Sequence, residues 1–292
     1  MQAYVINLAR SPERRVHMTS ALAPTGQPYE IVEGVDGREL DLSDVTLVDP
    51  SVVRDGSFRL GAGGPGAAGC ALGHLRVYRK VLEDARDKAL VLEDDIIPPD
   101  DLRVLVEAVG EQMEGAEVVL LNFHSSGPCR VTHEASQQLP SGRQLVYPVD
   151  IDQPHSAGAY VITGEACRRM AELVLPVRVV ADDWGFFARH GAIDRLRCVV
   201  PMPARNTADF RSTIDYYEPG SFQARVREAV ARAHIPVVHQ VLASRRRRAL
   251  RLMGCWGDIE YVDERVDPAA QVRTDERFPS TPGSGGPTGT RP

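Results

Sequence analysis

Short runs of β-branched and other apolar residues alternate along this chain with segments whose apolar positions recur every three or four residues. AYVINL at 3–8 predicts a buried strand. In SPERRVHMTSAL at 11–22, Ser11 suits a helix cap and Pro12 the first helical position, so strand, tight loop and helix open the chain. YEIVEGVDG at 29–37 predicts a second strand that ends in a turn. Residues 38–68 are turn-rich, and GAGGPGAAG at 61–69 is almost all small residues. A helix is expected through CALGHLRVYRKVLEDA at 70–85, with Ala71, Leu75, Tyr78 and Leu82 as its inner stripe. ALVL at 89–92 predicts the next strand, PPDDLRVLVEAVGEQM at 98–113 a helix with Pro and Asp start signals, and EVVLLNF at 117–123 another buried strand.

Residues 124–143 have the polarity of a loop, and AYVIT at 159–163 predicts a strand that leads into a helix through GEACRRMAELVL. DDWGFFARHG at 182–191 fits a short helix capped by an aspartate and closed by Gly191, and RLRCVVP at 195–201 a further strand. Alternation of this kind predicts an α/β fold on a mostly parallel sheet. The pattern loosens after residue 222. We divide the chain into a main domain (1–221), a helical basic extension (222–262, with a helix at 222–232) and a low-complexity tail (263–292) rich in Pro, Gly, Ser and Thr, expected to be disordered.

The chain has 292 residues, 43% of them hydrophobic, enough for a sizeable core. A formal net charge of -6 argues against general affinity for nucleic acid. Five widely spaced cysteines without a CxxC pair (Cys70, Cys129, Cys167, Cys198 and Cys255) argue against a structural zinc motif and suit a reducing compartment. With no apolar run of signal or transmembrane length, a cytoplasmic location is expected. Arg245, Arg246, Arg247 and Arg248 form a basic run that reads either as a solvated helix face or as a peripheral contact with anionic lipid at the inner face of a membrane.

The chemistry concentrates where ALVL meets Glu93, Asp94 and Asp95, with Ile96 and Ile97 following. Adjacent carboxylates oppose one another's ionisation, and a dry setting adds to that cost. Either the strand end is solvated, or a cation makes the cluster favourable. In open α/β sheets ligands sit outside the carboxyl ends of the strands, and hard carboxylate oxygens there suit Mn2+ or Mg2+. Asn7, Arg10, Arg14 and Arg15, beside a strand end and a helix start, form a second candidate site, suited to an anion. The glycine-rich run lacks the lysine and spacing of a P-loop.

YVINLARSPERR, GVDG, GCALGHLRVYRKVLED, ALVLEDDI, SAGAYVIT and ADDWGFF, in this order, resemble glycosyltransferase family 25, which includes bacterial lipooligosaccharide galactosyltransferases and collagen galactosyltransferases. The resemblance covers roughly residues 3–215. It implies a GT-A-like nucleotide-sugar fold, inverting chemistry, a UDP-sugar donor (often UDP-galactose), a divalent metal, and a glycan, peptide or small-molecule acceptor, as in lipopolysaccharide biosynthesis. It also implies that Asp95 ligates the metal, with Glu93 or Asp94 on the ribose or a metal-bound water. Asn7, Arg10 and Arg14 would hold the nucleotide, with Asp36 at its base or ribose. Gly69, Cys70 and His74 match the family's GCxLSH-like motif, while Gly73 replaces its serine. Cys70 reads as a small packing residue, and His74 as packing or ligand contact.

An inverting displacement needs a base for the acceptor hydroxyl and charge stabilisation on the diphosphate side. Asp183 and Asp182 are the leading candidates for the base, with Asp183 favoured. A helix cap is the plain alternative, and His155 a further candidate. Trp184 and Phe186 read as an apolar platform for a sugar ring, and Asn206 and Arg211 as late-loop contacts to the diphosphate. The competing function is a nucleotide-sugar-binding or glycan-binding protein of the same fold without catalysis. A phosphohydrolase is disfavoured because EDDII lacks the DxDxT pattern.

Overall fold

The computed structural model describes residues 1–54, 64–125, 129–207, 210 and 259–262. Eleven strands are found among them: β1 (Gln2–Asn7), β2 (Tyr29–Glu33), β3 (Lys88–Glu93), β4 (Ile96–Ile97), β5 (Glu117–Leu120), β6 (Cys129–Gln138), β7 (Gln144–Pro148), β8 (Ala159–Thr163), β9 (Arg195–Val200), β10 (Arg205–Asn206) and β11 (Ile259–Val262). The α-helices are α1 (Pro12–Leu22), α2 (Pro50–Arg54), α3 (Gly64–Glu83), α4 (Leu102–Glu111), α5 (Gly164–Leu173) and α6 (Trp184–Arg189).

Nine strands form one sheet in the order β11-β6-β7-β9-β5-β8-β3-β1-β2. From the pairings, seven of the nine run the same way, and only β7 and β8 run against them. The expected α/β fold on a mostly parallel sheet is therefore present. Both faces of the sheet are covered, so its strands read as continuous apolar runs. The alternation persists within β3: Ala89 and Val91 enter the core beneath α3, α5 and α6, while Leu90 and Leu92 enter the opposite core with α1 and α4. A single-residue slip of β3 would exchange these two sets between cores of different shape.

Most predicted elements are found, with informative departures. The long helix begins at Gly64, so part of the small-residue run forms its first turns. The close fit of α3 against the loop after β2 explains the small residues, because a Cβ at Gly69 would meet the Val35 carbonyl oxygen at 2.6 Å and the Gly37 nitrogen at 2.7 Å. The inner stripe holds at Ala71, Leu75 and Tyr78, but Leu82 is 38% exposed and Val81 takes its place in the core. At 3.6 residues per turn the buried face continues three positions after Tyr78. Ser11 stands at the start of α1 without a side-chain cap bond, whereas Asp183 caps α6 and Gly191, at φ 73°, closes it.

The polar segment 124–143 is not simply a loop, since it contains β6 and a 3-10 turn at Pro140–Gly142. A shift of register between Thr132 and Gln137 breaks the apolar alternation after Cys129 and Val131, which hides the strand from a periodicity argument. Residues Ile259–Val262 add β11 to the sheet edge, parallel to β6, so the sheet draws on the chain beyond residue 221. The rest of the extension, including the helix expected at 222–232, Arg245–Arg248 and the tail, lies outside the described residues, as does Arg211. Among the described residues no helix is long and apolar enough to cross a membrane.

Candidate active site

The carboxyl ends of β1 and β3 lie side by side, with Ile6 opposite Glu93, and the start of the reversed strand β8 flanks β3, with Ala159 opposite Leu92. Glu93, Asp94 and Asp95 emerge at this edge, as the sequence suggested. The chain then turns into β4, which pairs with β10, so Asn206 lies opposite Ile96.

The three acids have unequal surroundings. Asp94 is 6% exposed and is held from two sides. Asn7 Nδ2 donates to its Oδ2 at 2.8 Å, and the Arg14 guanidinium donates to its Oδ1. Burial raises its pKa, with the charge of Arg14 working in the opposite direction. Asp95 lies farther out. Its Oδ1 accepts from Asn206 Nδ2 at 3.0 Å, its Oδ2 is 3.7 Å from Arg14 Nη2, and its carbonyl oxygen accepts from the Thr207 amide at 2.7 Å. Burial, then the charge of Glu93, raises the Asp95 pKa to about 6.

Glu93 makes its side-chain contacts with α3. Its Oε1 lies 3.4 Å from His74 Nε2 and accepts the Cys70 thiol at 3.7 Å. Burial resists its ionisation, but the hydrogen bond and charge of His74, followed by the charge of Arg14, bring its pKa below the usual glutamate value. Cys70 moves the opposite way: burial and the negative charges of Glu93, Asp182 and Asp95 push its thiol well above the usual range. Among these charges, that of Asp182 bears on the Cys70 thiol.

Several sequence-predicted residues therefore have different roles from those expected. Asn7 and Arg14, 4% and 6% exposed, grip Asp94 instead of lining an open nucleotide pocket. Phe210 lies over Arg14, with the guanidinium carbon 5.2 Å from the ring centroid. Arg10 donates to Asp36 at 2.7 Å, and Arg38 also binds that carboxylate, lowering its pKa strongly. Gly69 is a packing position, as its contacts show. Trp184 and Phe186 offer no sugar platform, being only 1% and 2% exposed. Trp184 stands edge-on to Tyr160, and its indole N–H reaches the Ser156 carbonyl oxygen at 3.3 Å. Their apolar area fills the core beneath α6 instead.

Asp183 spends one carboxylate oxygen on the Phe186 amide at 3.0 Å, an N-cap bond. Asp182 instead accepts from the Ser156 amide at 2.8 Å. Ser156, at φ 107°, donates its hydroxyl to Asn122 Oδ1 at 2.7 Å, and Asn122 reaches the Ala204 carbonyl oxygen at 3.2 Å. His155 pairs through its backbone with His124, and their rings are 5.9 Å apart. Asn122, His124 and Ser156 were missed by the sequence reading. The lone asparagine in the apolar run VVLLNF was the available signal, because it marks the strand end facing the same sheet edge.

The model for glycosyltransferase family 25 (LPS biosynthesis protein) matches residues 1–184. A putative glycosyltransferase of Haemophilus influenzae is 25% identical over 185 residues, 63% of this chain and 62% of its own. Human procollagen galactosyltransferase 2 is 32% identical over 98 residues, 32% of this chain and 16% of that one. Mouse inactive glycosyltransferase 25 family member 3 is 28% identical over 116 residues, 38% of this chain and 19% of its own. The chain thus spans less than two thirds of each of these relatives. A Drosophila galactosyltransferase solved with manganese, UDP-Gal and xylobiose superimposes with a TM-score of 0.34 at 12% identity, covering 77% of this chain and 79% of its own. The match over residues 1–184 extends from β1 through the acid cluster to the start of α6, and the chain belongs to glycosyltransferase family 25.

Proposed function

We propose that this protein is a metal-dependent inverting glycosyltransferase that moves a sugar, galactose from UDP-galactose, to an acceptor hydroxyl. The observation that carries this reading is the imbalance at the end of β3. Three acids are gathered there, and among the described residues the cations that pair with them are Arg14 and, when protonated, His74. Carboxylate oxygens are the ligands a hard divalent cation takes. Asp95 and Glu93 keep 16% and 30% of their side chains exposed, and the Asp95 pKa is raised by burial and then by the charge of Glu93. Manganese or magnesium would be held by Asp95 and Glu93, with Asp94 fixing the turn. Bound there, the cation supplies charge neutralisation for the departing diphosphate.

The chain's own groups divide the remaining work. Arg14 and Asn7 hold the Asp94 turn so that Asp95 keeps its direction. Arg10, whose side chain is 35% exposed, lies at the rim beside Asp36 to meet the nucleotide. Asn206 reaches the diphosphate side through Asp95. For the base we assign Asp182 over Asp183, because Asp183 serves as a helix cap. The Asp182 carboxylate takes the proton as the acceptor oxygen attacks the anomeric carbon and the bond to the diphosphate breaks, so configuration inverts. The name of the human relative supports galactose as the sugar, and the Haemophilus relative supports a glycosyl transfer.

The test is a donor screen on purified protein with Mn2+, read by mass spectrometry of the products. UDP-galactose turnover that disappears with a chelator and in Asp95→Asn is expected, with the variant still folded by circular dichroism. Undiminished turnover in either case would remove the metal reading. The name of the mouse relative supports a second reading, donor binding without transfer. Mn2+-dependent UDP binding with no turnover of any donor would select it.

A further inference from the structure

Glu93 faces a second set of ligating atoms that the transfer reaction does not use. Cys70 and His74 stand about one turn apart on α3, and their Sγ and Nε2, with a Glu93 carboxylate oxygen, all lie within 4.8 Å of one another. His74 Nε2 is 3.4 Å and Cys70 Sγ 3.7 Å from the same oxygen. Around tetrahedral zinc, the usual metal–ligand lengths put nitrogen and oxygen ligands about 3.3 Å apart and sulfur and oxygen about 3.6 Å apart. The two separations in the structure match these values closely.

The far side of the imidazole is an independent pointer. Nδ1 lies 2.8 Å from the Tyr160 hydroxyl, which donates its own proton to the Tyr78 hydroxyl at 3.2 Å. With that proton committed, Tyr160 offers Nδ1 a lone pair, so Nδ1 carries the N–H. Nε2 faces the Glu93 carboxylate at 3.4 Å, and a cation bound there would take the place of any proton held between them. An imidazole that gives its outer N–H to an oxygen and turns its other nitrogen inward has the arrangement that orients histidine ligands at metal sites. His74 is 1% exposed, so its ring is held in this pose by packing.

We infer that Cys70, His74 and Glu93 form a thiolate-containing site for zinc or a similarly thiophilic divalent cation, distinct in selectivity from the carboxylate set and sharing Glu93 with it. Thiolate and imidazole select zinc, whereas manganese and magnesium favour oxygen. On binding, the Cys70 S–H bond breaks, its proton passes to solvent, and Sγ, Nε2 and the Glu93 oxygen each donate a pair to the cation, with no change of oxidation state. Occupation engages Glu93, so zinc opposes manganese at the shared acid. Only this last consequence rests on the metal role proposed above for the acid cluster.

The experiment uses the full chain, stripped of metal and titrated with Co2+ as the spectroscopic probe. The expected result is a sulfur-to-cobalt charge-transfer band with tetrahedral visible bands, displaced by one equivalent of Zn2+. Cys70→Ser should abolish the charge-transfer band, Tyr160→Phe should weaken cobalt binding about 10- to 100-fold, and Asp95→Asn should retain the band. His74→Gln keeps the thiol and serves if the serine variant does not fold; its band should be lost or its affinity reduced at least as far as in Tyr160→Phe. Absence of the band in the wild-type chain, or its survival unchanged in Cys70→Ser or His74→Gln, overturns the site. A cobalt band without manganese-dependent donor binding would remove the transferase reading and leave this site standing, and the converse would remove this site alone.

Discussion

Two acidic positions in the same sheet have opposite charge balance. Glu117, on β5, is completely buried and faces the Arg197 guanidinium on β9. That arginine also donates to Gln137 at 2.6 Å and to the Gln112 carbonyl oxygen at 2.7 Å, while the Glu114 amide donates to the second Glu117 oxygen at 3.0 Å. Arg195 Nε stands 4.0 Å from that second oxygen, so this acid has cations to spare, and both of its oxygens are used. At the end of β3 three carboxylates share Arg14 and a histidine, and two of them keep part of their side chains open to solvent. A buried acid with a matched partner belongs to the architecture. Acids gathered in excess of their partners leave a deficit that a ligand can fill.

The largest expected effect comes from breaking the balanced pair. Arg197→Met should lower unfolding free energy by about 3–5 kcal/mol, because a fully buried carboxylate loses its hydrogen-bonded partner and keeps only Arg195, 4.0 Å away. Urea denaturation measures it, and a loss below about 1 kcal/mol would place the two regions in one class. Next comes the unbalanced cluster, where Asp95→Asn should reduce UDP-galactose turnover by about 100-fold or more, the upper range seen for groups that only support metal ligands. Its stability should hold or rise, since like-charge repulsion is relieved.

The pH dependence sharpens the contrast. Burial and Glu93 raise the Asp95 pKa to about 6, above the carboxylate's ordinary value of 3.8. The folded state therefore binds this proton more tightly than the unfolded state, and metal-free stability falls as pH rises from about 4 through 6. The stability of Asp95→Asn relative to the wild type should thus increase across that interval in urea melts, and Mn2+ affinity in the wild type should climb over the same range. The smallest effect is expected at the edge of the cluster. Phe210→Ala removes the ring over Arg14 and should cost about 0.5–2 kcal/mol in donor-binding free energy, read by calorimetry with Mn2+ and UDP.

The sequence made much of the fold legible because buried strands announce themselves as short apolar runs, and β1, β3, β5 and β8 all did. β6 was hidden for a physical reason: its polar side chains and register shift remove the alternation on which the reading depends. The acid cluster was legible as residues and as a location, because three carboxylates behind four apolar residues are costly enough to stand out. Its partners were harder to assign. Nothing in the spacing shows that Arg14 turns inward to Asp94, 80 positions away, or that Asn206 crosses to Asp95. Trp184 and Phe186 show the reverse error, since aromatic residues beside acids suggest a binding face while their large apolar area drives them into the core.

The Thr207 amide is tied to the Asp95 carbonyl oxygen, one residue after a side chain that is itself tied to the Asp95 carboxylate. The acidic turn and a segment more than a hundred positions downstream therefore share a seam, and whatever stiffens the turn stiffens that seam. Deuterium uptake at this single amide gives a direct gauge of how firmly the edge is sewn shut, legible without any sugar in the tube.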